Sequence, residues 1–200
     1  MCHHKAPHDF WEYAQRHEHM FDDKTIPEPE SLFEDRSHRS PATRDFGSSV
    51  TPRSRIRSLY YDFCKKDYVT GPLQGTEHMT YEEKGKAAYQ KYLKDYLRTV
   101  AAIDDSVGKL LDVLEAEGIL EDTVVIYTSD QGMFLGEHDY QDKRWSFEES
   151  LRTPLLIRYP REIPAHTNCT ELMANIDIAP TLLDYAEISI PENMQGISCR

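Results

Sequence analysis

The chain has 200 residues, 39% of them hydrophobic, a formal net charge of −12 and a mean hydropathy of −0.66. That suffices for one sizeable core in a soluble protein. It holds no apolar run near the roughly 20 residues a membrane span needs, and its acidity disfavours general affinity for nucleic acid or anionic membranes.

The N-terminus, Met1-Cys2-His3-His4-Lys5, has no apolar stretch behind its charges, so it does not read as a signal peptide or as a natural start. Cys2, Cys64, Cys169 and Cys199 show no close pairing, which indicates neither a zinc ribbon nor a disulfide framework. In Lys5-Ala6-Pro7-His8 the proline holds Ala6 extended, so Lys5 and His8 are presented from a stiff loop. Taken alone, the segment reads more readily as a polar, His-rich terminus of no consequence; the string further along the chain reverses that preference.

Residues 20–79 form an irregular excursion punctuated by Pro27, Pro29, Pro41, Pro52 and Pro72. Arg36, Arg39, Arg44, Arg53, Arg55 and Arg57 give it a local basic excess, with Asp45 as the one acid among them. Two readings stand: a rim that attracts an anionic substrate, or a solvated excursion whose arginines pair with acids elsewhere. The second is preferred, although a loop this long is usually functional or disordered.

Thr80 to Glu117 reads as a helix. Thr80 and Glu83 make a capping box, and Leu93, Tyr96, Leu97, Val100, Val107, Leu110, Leu111 and Leu114 recur at helical spacing. Gly118 fits the position just past its end. Asp104 and Asp105 point about 100° apart on such a helix, so they do not chelate one ion together. Fed by this helix, the β-branched run Thr123–Thr128 reads as a buried strand, the second half of a crossover unit.

The strand stops at Ser129-Asp130-Gln131-Gly132, which leaves a carboxylate at its carboxyl end, where open α/β sheets bind ligands. Glu137, His138, Asp139, Asp142, Lys143 and Arg144 follow, crowding ionisable groups into one loop. Thr153–Tyr159 reads as a further strand with Pro154 confined to its start. Asn175–Ala186 reads as a short helix with Asp177 as N-cap and Pro180 in the first turn.

The string Ser129-Asp130-Gln131-Gly132, Leu135-Gly136-Glu137-His138, Asp142-Lys143-Arg144, Phe147–Ser150 and Arg152–Ile157 closely resembles the sulfatase family of the alkaline phosphatase superfamily. The likeness runs from about Tyr92 to Gly196, is clear at Lys5–His8 and is faint across residues 20–79. The resemblance implies an α/β fold: part of an alkaline-phosphatase-like α/β/α sandwich, truncated at both ends. Within this C-terminal part of a catalytic domain, residues 1–19 would carry a pocket motif, 20–79 the excursion and 80–200 a helix–strand–loop–strand–helix core.

By the same resemblance the protein is a sulfuric ester hydrolase whose nucleophile is a formylglycine made from a Cys/Ser-x-Pro/Ala-x-Arg motif. No Cys or Ser here heads that motif; Ser49-Val50-Thr51-Pro52-Arg53 has Pro and Arg at the wrong spacing. Residues 1–200 alone are therefore expected to hydrolyse no sulfate ester. One calcium ion is implied, with Asp130 and Gln131 among its ligands; hard oxygens of this kind suit calcium or magnesium better than zinc. Phosphatases of the superfamily often place His at the Gln131 position, so Gln argues against that branch.

Lys143 resembles the lysine that neutralises the sulfate oxygens, and His8 the histidine that protonates the leaving alkoxide, work suited to an imidazole. Lys5 would be a second sulfate contact, and His138 and Arg144 would read the rest of the substrate. Asp142-Lys143-Arg144 with the aromatic and acids after it resembles glucosamine-6-sulfatases and their bacterial polysaccharide-degrading relatives, which implies a sulfated carbohydrate with a 6-sulfated N-acetylhexosamine leading; the polar groups that crowd Lys143 suit sugar hydroxyls better than a flat aryl group. Tyr140 and Trp145 face either a sugar ring or the core. The resemblance implies a periplasmic or extracellular enzyme. Two alternatives stay open: a metal-dependent phosphodiesterase or phosphatase of the superfamily, and a non-catalytic anion-binding module.

Overall fold

In the computed structural model, which describes all 200 residues, the chain divides into two compact units. One comprises Met1–Val113 with Gln131–Arg152, the other Leu114–Asp130 with Thr153–Arg200. No helix is long and apolar enough to cross a membrane.

The first unit is built around aromatic side chains. Two short helices, α1 (Pro41–Asp45) and α2 (Leu59–Phe63), interrupt an otherwise irregular segment before the long helix α3, Tyr81–Ala116. Trp11 is fully buried, packs on Tyr92 of α3 with ring centroids 4.5 Å apart, and meets Phe63 of α2 edge-on. Leu32, Val50, Leu59, Tyr60, Ala88 and Leu93 complete this core. The excursion thus folds by burying a few large apolar groups, not by regular structure, which suits its prolines.

Helix α3 begins and ends where local chemistry dictates. The Thr80 backbone N–H donates to Glu83 Oε2 at 2.7 Å, and the Glu83 N–H donates back to Thr80 Oγ1. At the other end Gly118 sits at φ +70°, with its N–H on the Glu115 carbonyl and the Ile119 N–H on the Leu114 carbonyl, the two bonds of a Schellman close.

Its buried face differs from the apolar stripe expected. Ala88, Tyr89, Tyr92 and Leu93 are buried, but so are Asp95, Arg98 and Thr99, while Leu110 and Val113 are exposed. Ionic pairing makes the polar burial tolerable. Asp95 accepts from Lys91 at 3.0 Å, Arg98 at 3.2 Å and the Thr70 hydroxyl at 2.7 Å.

In the second unit, strand β1 (Val125–Thr128) is half-buried rather than buried. The expected crossover strand pairs instead with an antiparallel neighbour. A second ladder belongs to the first unit: β2 (Phe134–Leu135) and β3 (Gln141–Asp142) pair antiparallel, Phe134 facing Asp142. The first unit also carries the short helix α4, Glu148–Leu151. The partner of β1 is β4 (Leu155–Arg158), which starts just after Pro154 and runs from Leu155 opposite Thr128 to Arg158 opposite Val125. A two-stranded ladder shields only one edge of each strand, which accounts for the partial burial of β1.

Helix α5, Ile178–Tyr185, carries Pro180 in its first turn as expected. Asp177 precedes it, but its carboxylate turns back to accept the N–H groups of Ala174 and Ile197 at 2.8 and 2.9 Å. The 3-10 turn Asn175–Asp177 runs straight into α5, so Asp177 is already helical and cannot reach the helix's own first N–H groups.

Candidate functional site

Lys5, Ala6, Pro7 and His8 form a tight turn closed by the His8 N–H on the Lys5 carbonyl, 3.0 Å. The turn throws both side chains back onto Asp9. Lys5 Nζ donates to the Asp9 carbonyl oxygen at 2.6 Å, and His8 Nδ1 lies 2.8 Å from Asp9 Oδ1. The other carboxylate oxygen of Asp9 receives Arg57 Nη2 at 2.6 Å. Asp9 is thus the hub of the site, and sequence reasoning missed it; its one visible signal was an acid beside His8.

Burial pushes the Asp9 carboxyl up, but Arg57, with His8 and Lys143, outweighs burial and holds it below the usual carboxylate value. A carboxyl depressed in the folded state contributes stability above its unfolded value and loses it as pH falls through the folded one. Asp9→Asn is therefore expected to lower stability at neutral pH, the deficit shrinking below about pH 4. Urea midpoints across pH check this; a deficit that does not vary with pH would refute it.

Lys143 acts on Asp9 through its charge. Lys143 leaves β3 directly after Asp142, whose φ of +76° turns the chain sharply. Its side chain is only 15% exposed, and its ion-pair partner is Asp142 at 3.4 Å. Asp142 also accepts Arg144 Nε at 2.8 Å. Arg144 then lines an open cavity of about 740 Å³ together with Asp9, Phe10, Arg57, Gln141 and Trp145.

Of the two aromatic residues considered, Trp145 faces this cavity, stacked against Tyr140 with centroids 6.0 Å apart. Tyr140 is fully buried among Phe134, Phe147 and Trp145.

His138 and Asp139 lie in the loop between β2 and β3, both with positive φ. The His138 ring is held by Glu34 at 3.1 Å and Arg39 at 2.8 Å, with Glu149 at 3.7 Å. Asp139 is 2% exposed and accepts the Thr51 N–H, the Thr51 hydroxyl and Arg53 Nε, all within 2.8 Å. Much of the polarity read from the sequence as surplus around Lys143 is thus satisfied inside the protein. Burial still raises the Asp139 carboxyl against those bonds.

Lys5 and His8 therefore meet on Asp9, Lys143 and Arg144 pair with Asp142, Arg144 and Asp9 line the same cavity, and His138 serves a separate ionic cluster. The excursion arginines mostly pair with acids: Arg39 with Glu34, Arg44 with Asp45, Arg53 with Asp139 and Arg57 with Asp9.

Asp130 closes one segment of the second unit, two residues after β1. Its backbone carbonyl accepts Asn175 Nδ2 at 2.7 Å, while its exposed carboxylate meets only the Ser129 hydroxyl at 3.3 Å. Gln131 opens the next segment of the first unit. Gly132 follows because a Cβ there would lie 2.2 Å from the Glu149 carbonyl oxygen. A carboxylate without a cationic partner and a neutral amide oxygen are a donor set that fits a hard cation. No group of three or more His, Cys, Asp or Glu side chains gathers at one point.

Comparison with known proteins adds four findings. The family described as N-sulphoglucosamine sulphohydrolase, C-terminal, matches residues 136–200. An N-acetylglucosamine-6-O-sulfatase of Bacteroides thetaiotaomicron is 36% identical over 234 aligned residues, covering 100% of this chain and 41% of that protein. Bovine N-acetylglucosamine-6-sulfatase is 41% identical over 103 residues, half of this chain and 18% of its own length. Among solved structures, a protein in complex with its substrate D-glucosamine-2-N,6-O-disulfate superposes with a TM-score of 0.77 at 33% identity. That match covers 96% of this chain and 45% of that one. The chain thus spans about two-fifths of the full-length bacterial relative.

Proposed function

This chain belongs to the sulfatase family, with its alkaline-phosphatase-like α/β fold, and from that premise we propose that the protein containing it hydrolyses sulfate esters of carbohydrates. The 6-sulfate of an N-acetylated or N-sulfated glucosamine is the leading substrate. One observation carries the proposal: Lys5 and His8 meet on Asp9, which lines a cavity with Arg144 and Trp145 on its wall, and the charge of Lys143 helps to hold the Asp9 carboxyl down.

In this reading Lys143 and Lys5 neutralise the non-bridging sulfate oxygens as the S–O bond breaks. His8 donates a proton to the leaving sugar oxygen. Its Nδ1 is bound to Asp9, which fixes the ring and frees Nε2 for that role. Asp9 positions the imidazole, as a carboxylate does behind a catalytic histidine.

Arg144 and Trp145 contact the sugar, an aromatic face and a cation being suited to a polar ring. His138 keeps its place in the loop that presents them. Asp130 and Gln131 would hold calcium, which when bound supplies Lewis-acid charge to the sulfate. Gln131 supports this branch over zinc-dependent phosphatases, because a neutral amide oxygen is a poor zinc ligand. A periplasmic or extracellular location completes the proposal.

The test is turnover by the complete protein of sulfated monosaccharides, glycosaminoglycan oligosaccharides and an aryl sulfate at equal concentration. The carbohydrate esters are expected to lead in kcat/KM. Preference for the aryl ester would sink the carbohydrate assignment, and hydrolysis of phosphodiesters alone would sink the sulfatase one.

A further inference from the structure

Beside the cavity at Arg144 lies a second one, of about 580 Å³, lined by Asp35, Arg36, Arg44, Arg53, Arg55 and Ile56 among others. We propose that this second cavity binds an anionic group, a sulfate or a carboxylate, carried by the glycan outside the ester that is cleaved. The glycan part of this inference rests on the function proposed above; the anion site stands on its own observations.

Arg36 is the principal one. It is nine-tenths buried and lines the cavity, yet neither Nη1 nor Nη2 has a hydrogen-bond acceptor. Arg53 Nη2 is also unpartnered. Both guanidinium groups lie over the Tyr140 ring, 5.0 and 5.7 Å from its centroid. The ring face eases their charge but accepts none of these in-plane N–H groups.

The nearby acids are already committed. Asp139 holds Arg53 and Thr51, Asp35 holds Ser37, and Asp45 holds Arg44. Burial, with the like charge of Arg53, pulls the Arg36 guanidinium below its ordinary value.

Two close cations with donors to spare leave a cost that an entering anion relieves, since it brings both the counter-charge and the acceptors. Arg55, exposed and making no ion pair, stands at the same cavity as a third cation.

Why a group on the glycan and not a free ion? The cavity is large for one sulfate, and Ile56 lines both it and the cavity at Arg144. An extended polyanion can therefore place one group at each. Local pairing, the preferred reading of these arginines from sequence, holds for Arg39, Arg44, Arg53 and Arg57 but leaves Arg36 and Arg55 over.

Two measurements test the proposal. Inorganic sulfate is titrated into the chain by calorimetry, with chloride at matched ionic strength as control. The proposal expects Arg36→Met and Arg55→Ala each to weaken sulfate binding roughly tenfold. Arg55→Ala removes only an exposed side chain, so it keeps the test decisive even where Arg36→Met disturbs folding. Unchanged affinity in Arg55→Ala and in folded Arg36→Met would overturn the site.

In the complete enzyme, both variants are expected to raise KM for a sulfated tetrasaccharide about tenfold with kcat unchanged and to leave a sulfated monosaccharide unaffected. Weakened sulfate binding with an unaltered tetrasaccharide KM would overturn the glycan assignment. A protein that turns over no sulfate ester would defeat the proposed function, and the sulfate titration would still decide the anion site.

Discussion

Asp130→Ala in the complete enzyme is expected to abolish turnover and calcium binding together while leaving the fold in place. The fold has little stake in this carboxylate. It is exposed, its contact is one hydroxyl at 3.3 Å, and the group that ties the strand end to Asn175 is the backbone carbonyl, which alanine retains. Surface substitutions of that kind usually change stability by less than about 0.5 kcal/mol. The metal has a large stake, because a hard divalent cation held partly by neutral oxygens loses charge compensation with every carboxylate removed. Calcium content and kcat are measured on one preparation, and the thermal midpoints of wild type and variant are compared in excess chelator, so that the loss of bound calcium does not itself shift them. Loss of metal and activity with an unchanged midpoint supports the assignment, whereas bound calcium with wild-type kcat contradicts it. A midpoint lowered by more than about 5 °C would mean that the carboxylate holds the strand end instead.

Local codes were legible in the sequence; long-range neutralisation was not. Both ends of α3 follow from side chains within four residues of the boundary: Thr80 with Glu83, and Gly118 with its two carbonyls. Pro154 marks the start of β4 for the same reason. The ladder of β2 and β3 has no such code. Its strands are two residues each, too short for alternation to show, and the loop between them turns on His138 and Asp139 with positive φ. Charge was the larger obstacle. Asp139 reads as one of the surplus polar groups around Lys143 because the groups that neutralise it, Thr51 and Arg53, lie more than eighty residues away in sequence. Asp95 and Arg98 interrupt the apolar stripe of α3 as an i,i+3 pair, and the groups that complete their burial, Thr70 on Asp95 and Asp22 on Arg98, lie far away in sequence.

The candidate site divides along the same line. Lys5, His8, Lys143 and Arg144 were visible as residue types in characteristic strings. Asp9, the anchor of Lys5 and His8, was not, since an acid next to a histidine has no meaning until Arg57 is known to reach it. Arg36 was visible only as one member of a basic run. What sets it apart, a buried guanidinium without acceptors, belongs to packing and not to sequence.

Lys143→Ala in the complete enzyme is expected to lower kcat/KM by roughly two to three orders of magnitude, the scale on which one preorganised donor to a developing anion is worth about 2.7–4 kcal/mol. The geometry makes the substitution a clean one. The ammonium group is nearly buried and its ion-pair partner, Asp142, keeps Arg144 at 2.8 Å when the lysine is gone. No carboxylate is left bare, so the fold should survive and the loss should report on the reaction. Because negative charge on the sulfate oxygens shifts as the S–O bond breaks, most of the effect belongs in kcat, with a smaller rise in KM. Lys143→Arg keeps the charge but spreads it over a planar fork that fits a compact pocket poorly, so only partial rescue is expected. A fall in kcat/KM of less than tenfold for the alanine variant would show that Lys5 or Arg57 does this work, since both already reach Asp9.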